Sequence, residues 1–246
     1  MKLKIISIVL LSLLLLFNIN VSAISNPTID VFGDISIALP DNSSVAAGNF
    51  TIDSLGNDNL TNITFTVSGL SGFGVVFSPV NQSNLGVNTS QVVYVNVSVP
   101  FAQSPGNYIG IINISSVNGG YDTVDINVTV EPRREWDVTP KSCLRSENPD
   151  TGTVCLVTLK NTGNVPINIT INPVIINYTS VNETNMTIPK NSVYVIEFLY
   201  NITNVTKNFY FENYTIDATE VDAVPQYYDF NITLIPYIVP LFSVNL

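Results

Sequence analysis

The chain has 246 residues, enough for one large domain or for two domains of about 100–120 residues with separate cores. A hydrophobic content of 46% excludes a disordered chain, although only 11% of the residues are charged, where about 25% is usual in soluble globular proteins. The net charge of −10 argues against nucleic acid as a partner. The absence of histidine removes the usual general base and the usual metal ligand.

Residues 1–23 have the three parts of a secretion signal. Lys2 and Lys4 form a basic start, residues 5–17 form an apolar run, and residues 21–23 form a small-residue cleavage site. The apolar run is short for a membrane-spanning helix, which needs about 20 residues. We predict cleavage after Ala23, an extracellular mature chain and no membrane span after cleavage. An uncleaved membrane anchor is the alternative.

After an N-terminal extension at residues 24–33, two sections, 34–132 and 133–236, repeat one plan. In each, a strand ends in a Gly/Asn turn and a strand carrying a glycosylation sequon follows. A strand of alternating apolar residues and two closing strands come later. Each section thus has about seven short strands with turn signals about every ten residues, which is typical of an immunoglobulin-like sandwich. We predict an all-β chain of two tandem immunoglobulin-like Greek-key β-sandwiches.

N-x-S/T sequons are the densest motif of the chain, with seventeen after Ala23. The content of Asn, Ser and Thr gives about five or six by chance, so accident accounts for only a minority. In thirteen sequons the middle residue is apolar or aromatic, so a strand would turn Asn and Ser/Thr to solvent and the middle residue inward. We predict N-linked glycans at Asn42, Asn49, Asn59, Asn62, Asn81, Asn88, Asn96, Asn113, Asn127, Asn168, Asn177, Asn182, Asn185, Asn201, Asn204, Asn213 and Asn231.

The only two cysteines, Cys143 and Cys155, lie near the start of the second section. In an oxidising exterior they are expected to form one disulfide that closes the loop between two strands. A metal or redox site would need further ligands or a C-x-x-C spacing, and the sequence has neither.

The link between the sections, residues 131–135, contains Pro132 and two of the basic residues, Arg133 and Arg134. We predict that it holds the two sandwiches end to end. Its charges favour a salt-bridged linker, and a docking point for a partner is the alternative.

Residues 237–246 lie beyond the last strand of the repeat and carry no charge. Pro240 argues against a helix and against a central strand. The segment either packs as an extra edge strand on its own domain or pairs with another molecule. Its apolar and aromatic residues are Tyr237, Ile238, Val239, Leu241, Phe242, Val244 and Leu246.

No constellation of catalytic residues is recognisable. The acidic residues are scattered singly, and neither a G-x-S-x-G motif nor a phosphate-binding loop occurs. We therefore expect no enzymatic activity, no cofactor and no metal. A lysine–asparagine isopeptide, with Lys160 or Lys190 joined to Asn161 beside Glu197, is a minor alternative.

The repeated strand ending at residues 161–164, the sequon strands and the alternating valines of residues 92–99 resemble the secreted immunoglobulin-like domains of archaeal and bacterial surface proteins. Two such sections after a cleavable signal, crowded sequons and an apolar terminal segment resemble the archaeal thread pilin. This resemblance implies a cell-surface filament of identical subunits, joined head to tail by donor-strand complementation as in bacterial type 1 pili, and used for adhesion or biofilm formation.

The donating end is not fixed by the sequence. Residues 237–246 are favoured because they are uncharged and apolar, whereas type 1 pili donate from the N-terminus, which here is residues 24–33. Two other classes stay open. Eleven tyrosines on polar faces favour a monomeric adhesin or carbohydrate-binding module, and the third class is a component of an envelope lattice.

Overall fold

The computed structural model describes residues 24–147, 150–202 and 209–236. The predicted signal, Asn204 and the segment 237–246 lie outside these ranges. No helix of the described residues is long and apolar enough to cross a membrane.

In the described ranges, eighteen β-strands make up two sandwiches with the same topology. The strands of the first are β1 (Ile29–Phe32), β2 (Ile35–Leu39), β3 (Ser44–Ser54), β4 (Leu60–Ser68), β5 (Gly74–Ser78), β6 (Gln82–Leu85), β7 (Ser90–Ser98), β8 (Gly106–Ser116) and β9 (Gly120–Val130). The strands of the second are β10 (Trp136–Thr139), β11 (Ser142–Glu147), β12 (Thr151–Asn161), β13 (Ile167–Ile175), β14 (Thr179–Val181), β15 (Asn185–Ile188), β16 (Ser192–Asn201), β17 (Tyr210–Ala218) and β18 (Tyr227–Pro236).

In the first sandwich a sheet ordered β1-β3-β7-β5 faces a sheet ordered β2-β9-β8-β4-β6. The second sandwich repeats both orders, as β10-β12-β16-β14 and β11-β18-β17-β13-β15. In each sandwich the first two strands lie in different sheets, β1 and β2 in the first and β10 and β11 in the second. Strand β2 runs parallel to β9, and β11 runs parallel to β18. The predicted pair of tandem immunoglobulin-like sandwiches is confirmed.

Each sandwich has its own core, built from strands whose apolar residues alternate. In β9, for example, every second residue from Val124 to Val130 is buried, because successive side chains of a strand point to opposite faces. Phe50 lies at the centre of the first core, and Phe198 stacks on Phe230 in the second.

The predicted N-terminal extension is partly built into the first sandwich. Strand β1, which lies within residues 24–33, pairs antiparallel with β3 from Ile29 opposite Ser54 to Phe32 opposite Thr51. Ile29 is buried in the core. Strand β1 is therefore an edge strand of the first sandwich.

Candidate functional site

Ten of the sixteen sequon asparagines in the described ranges lie on strands, and the other six lie in turns or loops. Of the twelve described sequons with an apolar or aromatic middle residue, eleven bury that residue, and Tyr178 is half-buried. The asparagine of each is exposed or half-exposed, as at Asn49 beside the buried Phe50 and at Asn168 beside the buried Ile169. The alternation therefore brings the acceptor amides to the surface of both sandwiches.

The sandwiches meet through loops at facing ends, and the main contact is an ion pair between Asp41 and Arg133. Both carboxylate oxygens of Asp41, whose side chain is fully buried, accept bonds from the guanidinium, at 2.7 Å from Nε and 3.1 Å from Nη2. The backbone N–H of Ala102 also donates to this carboxylate, and Arg133 donates to the carbonyl of Thr162 in the second sandwich. One linker side chain thus contacts both sandwiches, which confirms the salt-bridged interpretation of the linker.

The electrostatics of this pair are set by burial and by the arginine. Burial raises the pKa of Asp41, but the hydrogen bonds and charge of Arg133, together with the backbone donor at Ala102, outweigh it and leave the pKa below its usual value. Asp41 is therefore ionised at neutral pH, and its buried charge is matched by the guanidinium.

One further contact crosses the joint, and another fixes the linker to the second sandwich. Lys190, between β15 and β16, donates to the carbonyl of Ala102 at 3.0 Å and to Ser104 Oγ at 2.6 Å in the first sandwich. Arg134 pairs with Asp222 at 2.5 Å within the second sandwich. Neither Lys190, which is half-exposed, nor Lys160, which is exposed, has the buried setting that an isopeptide lysine would need.

The linker is seated on the Gly/Asn turn that follows β12. The side chain of Asn164, which is buried, accepts a bond from the N–H of Arg133 at 2.7 Å and donates to the carbonyl of Glu131 at 2.9 Å. The N–H of Thr162 donates to the carbonyl of Glu135 at 2.8 Å. The side chain of Asn164 thus takes the place of a strand neighbour for the linker.

Residues 24–28 are seated on the first sandwich in the same way. The side chain of Asn57 accepts a bond from the N–H of Asn26 at 2.6 Å and donates to the carbonyl of Ile24 at 2.8 Å. The N–H of Leu55 donates to the carbonyl of Thr28 at 3.0 Å. The described N-terminal segment is therefore the counterpart of the linker and contacts its own sandwich.

One flank of the first sandwich is open. Strand β6 pairs with β4 only at Leu60, Thr61 and Ile63, whereas β8 pairs with β4 from Thr64 to Ser68. Within the described ranges, residues 64–68 thus have a strand neighbour on one side only. The facing strand of the other sheet, β5, is also an edge strand. We call the space between residues 64–68 of β4 and strand β5 the β4–β5 flank.

The β4–β5 flank contains an open groove of about 340 Å³, and seven of the eight residues that line it have apolar side chains. Its floor is aromatic, since the rings of Phe65 and Phe77 lie 5.2 Å apart and Phe65 also contacts the buried Phe50 at 5.8 Å. The residues that line it are Phe65, Thr66, Val67, Leu70, Phe73, Val75, Phe77 and Val80. Such a surface is suited to apolar side chains.

The corresponding flank of the second sandwich contains buried polar side chains. Thr179 occupies the place that Val75 has in the first sandwich, and it is buried. Its hydroxyl lies 2.8 Å from that of Tyr214, and the buried Glu212 accepts a bond from the N–H of Asn177 at 2.7 Å. The two flanks thus differ although the strand orders are the same.

The tyrosines do not form one class. Tyr200, Tyr210 and Tyr214 are buried, so the expectation of eleven tyrosines on polar faces was wrong for these three. Tyr94 and Tyr121 are exposed. The observation that favoured a carbohydrate-binding module is correspondingly weaker.

Cys143 and Cys155 form the predicted disulfide, with a Cα–Cα distance of 6.4 Å. It joins β11 in one sheet to β12 in the other. Within the described ranges, no three His, Cys, Asp or Glu side chains lie close enough together to hold a metal ion.

Replacing both cysteines with serine is expected to lower the free energy of unfolding by about 2–3 kcal/mol, because the closed loop restricts the unfolded chain. Thermal unfolding of the variant and of the native protein with and without reductant measures this. A reductant that lowers the melting temperature of the variant as much as that of the native protein would contradict the assignment.

Sequence reasoning missed two features of the site. The groove was missed because it depends on how far β6 extends along β4, and local sequence does not fix this. The turns that bind the linker and the N-terminal segment could have been found from the sequence, because both contain a Gly-Asn pair, Gly56-Asn57 and Gly163-Asn164.

No protein-family model and no curated protein matches this sequence. Among solved structures, EC22-24 of mouse cadherin-23 matches at 12% identity and a TM-score of 0.41, over 87% of this chain and 68% of that one. The extracellular cadherin domains 1-5 of protocadherin gamma B2 match at 11% identity and a TM-score of 0.48, over 87% and 40%. PapD-like domain 7 of human CEP192 matches at 8% identity and a TM-score of 0.37, over 45% and 91%. These likenesses concern the fold alone.

Proposed function

We propose that this protein is the structural subunit of an extracellular, N-glycosylated cell-surface filament that serves adhesion or biofilm formation, as in the archaeal thread pilins it resembles. Identical subunits join head to tail, and residues 237–246 of one copy complete the first sandwich of the next. The observation that carries the proposal is the β4–β5 flank, where an unpaired edge and an apolar groove lie side by side. Added strands bind such edges through main-chain hydrogen bonds and through side chains placed in pockets.

The C-terminal segment is the better donor. The N-terminal candidate, residues 24–33, has its strand β1 paired with β3 and its first residues bonded to Asn57. Donating this segment would break those contacts. Residues 237–246 are uncharged and follow β18 directly in the sequence.

The length of chain between Pro236 and Phe242 is too short for Phe242 to enter the groove of the same copy. Pro225, just before β18, contacts the linker side of the second sandwich through Trp136, and β18 then runs ten residues to Pro236. At about 3.3 Å per residue, Pro236 lies about 30 Å from the joint. Phe242 is six residues further and extends at most about 21 Å from Pro236, so it cannot return to the first sandwich of its own chain. We therefore assign the groove that it enters to another copy.

The surface suits an extracellular filament. The sequon asparagines are displayed on both sandwiches, and sugars on them would keep a chain with few charges soluble. A contact between one end of a subunit and the other end of the next produces an open fibre when successive rotations do not close into a ring. The chain needs no enzymatic activity or cofactor for this role.

Removing residues 237–246 is expected to leave folded, secreted monomers and to abolish filaments. The measurement is negative-stain microscopy of shed material together with size-exclusion chromatography. A matched control replaces the ten residues with glycine and serine, which keeps the length and removes the apolar side chains. Normal filaments from the truncated chain would overturn the proposal, and flat arrays from the full chain would favour the envelope lattice.

A further inference from the structure

We propose that the inserted strand is Phe242–Leu246, lying along residues 64–68 of β4 in the next copy with Phe242, Val244 and Leu246 in the groove. This assignment rests on the proposed filament function and specifies the two surfaces that meet.

The donor pattern is period two. After Pro240, the apolar residues Phe242, Val244 and Leu246 alternate with Ser243 and Asn245. In a strand, alternate residues point to one face, so the three apolar side chains share one face and the two polar ones share the other. Pro240 has no N–H to donate to a ladder, and pairing is therefore assigned to the residues beyond it.

The acceptor has the same period. On β4, the half-buried Phe65 and Val67 alternate with the exposed Thr64, Thr66 and Ser68, and of these three only Thr66 also borders the groove. A strand placed beside β4 would carry its apolar face over Phe65 and Val67 and its polar face beside Thr66. The apolar face of the donor would then meet Val75 and Phe77 of β5 on the opposite sheet.

The sugar coat leaves this flank uncovered. Asn62 and Asn81 border it at the end near β6, and no sequon occurs in the stretch between them. That stretch contains the second half of β4, all of β5 and the loop that joins them. Within the flank itself, residues 64–68 of β4 and all of β5 carry no glycan acceptor, so a strand can be placed there without displacing a sugar.

Val244→Asp and Phe242→Asp place a charge on the groove face, whereas Ser243→Asp and Asn245→Asp place the same charge on the solvent face. We expect at least a tenfold loss of sedimentable filaments for the first pair and less than a twofold change for the second. All four are made in the full-length chain, and circular dichroism of the secreted monomers checks folding. Equal loss in both pairs would overturn the assignment.

Cross-linking gives a second readout that needs no disruptive variant. Chains carrying Thr66→Cys are mixed with chains carrying Ser243→Cys, Asn245→Cys or Val244→Cys. A disulfide between the chains is expected with a solvent-face position and not with Val244→Cys, because side chains that pair across neighbouring strands share a face.

The outcomes separate the two claims. Filaments that require residues 237–246 but tolerate Phe242→Asp and Val244→Asp, and that give no cross-link to Thr66→Cys, overturn the groove assignment and leave the filament function standing. A wild-type chain that stays monomeric under all conditions overturns both.

Discussion

Replacing Arg133 with alanine is expected to lower the free energy of unfolding by about 4 kcal/mol at neutral pH. The side chain of Asp41 is fully buried and would lose its ion-pair partner, and removing one member of a buried pair leaves an uncompensated charge. Part of the loss should appear as opening of the joint, because Arg133 also bonds to Thr162. Chemical denaturation measures the stability, and the radius of gyration in solution reports the opening.

The stability of the native protein and that of Arg133→Ala should change in opposite directions as the pH falls. In the native protein the pKa of Asp41 is lowered, so its contribution is complete above about pH 4 and is lost as the pH falls through the folded-state value. In Arg133→Ala the arginine no longer offsets the effect of burial, so the pKa of Asp41 in the folded state rises. The free energy of unfolding of this variant therefore recovers as the pH falls towards 4. The two curves therefore converge in acid.

Asp41→Asn is the matched control for the pair. It removes the charge but keeps the shape, so the double variant Asp41→Asn with Arg133→Ala should be more stable at pH 7 than Arg133→Ala alone. If the double variant lost as much as the sum of the single variants, the ion pair would not be the element that holds the joint.

Gly163→Ala is expected to cost about 3–4 kcal/mol. A Cβ at this position would overlap the carbonyl oxygen of Arg133, and the linker would have to leave its seat and lose backbone bonds at about 1 kcal/mol each. The linker is tethered at both ends and cannot move without displacing a sandwich.

Gly56→Ala is the counterpart in the first sandwich and should cost only about 1 kcal/mol. Its Cβ would overlap the carbonyl oxygen of Asn26, but after the predicted cleavage at Ala23 residues 24–28 would be tethered to the sandwich on one side only. Thermal unfolding of the two variants compares them directly. Equal losses would contradict the idea that the tether sets the cost.

Local patterns predicted most of the fold. Alternating residues such as those of β9 and the sequon strands fixed which side chains face inward, because the period of a strand is two and burial follows it. The repeat of turns and strands predicted two sandwiches of one kind. The linker was also predictable, since opposite charges at a short link favour ion pairs.

Long-range pairing was not predictable in the same way. That β1 pairs with β3 depends on residues about twenty positions apart, and local sequence gave only its alternation. The polar filling around Thr179 and Glu212, against the apolar groove around Phe65 and Phe77, depends on which strands form the edges of each sheet. The tyrosines were misjudged because a tyrosine suits both a buried and an exposed face of a strand.

The most direct test of the filament account is a helical reconstruction of filaments assembled from the full-length chain. The account predicts a strand beside residues 64–68 of β4 in each subunit, continuous with β18 of the preceding subunit and with Phe242, Val244 and Leu246 over Phe65 and Phe77. An empty groove, or a strand there that traces back to the same subunit, would contradict it.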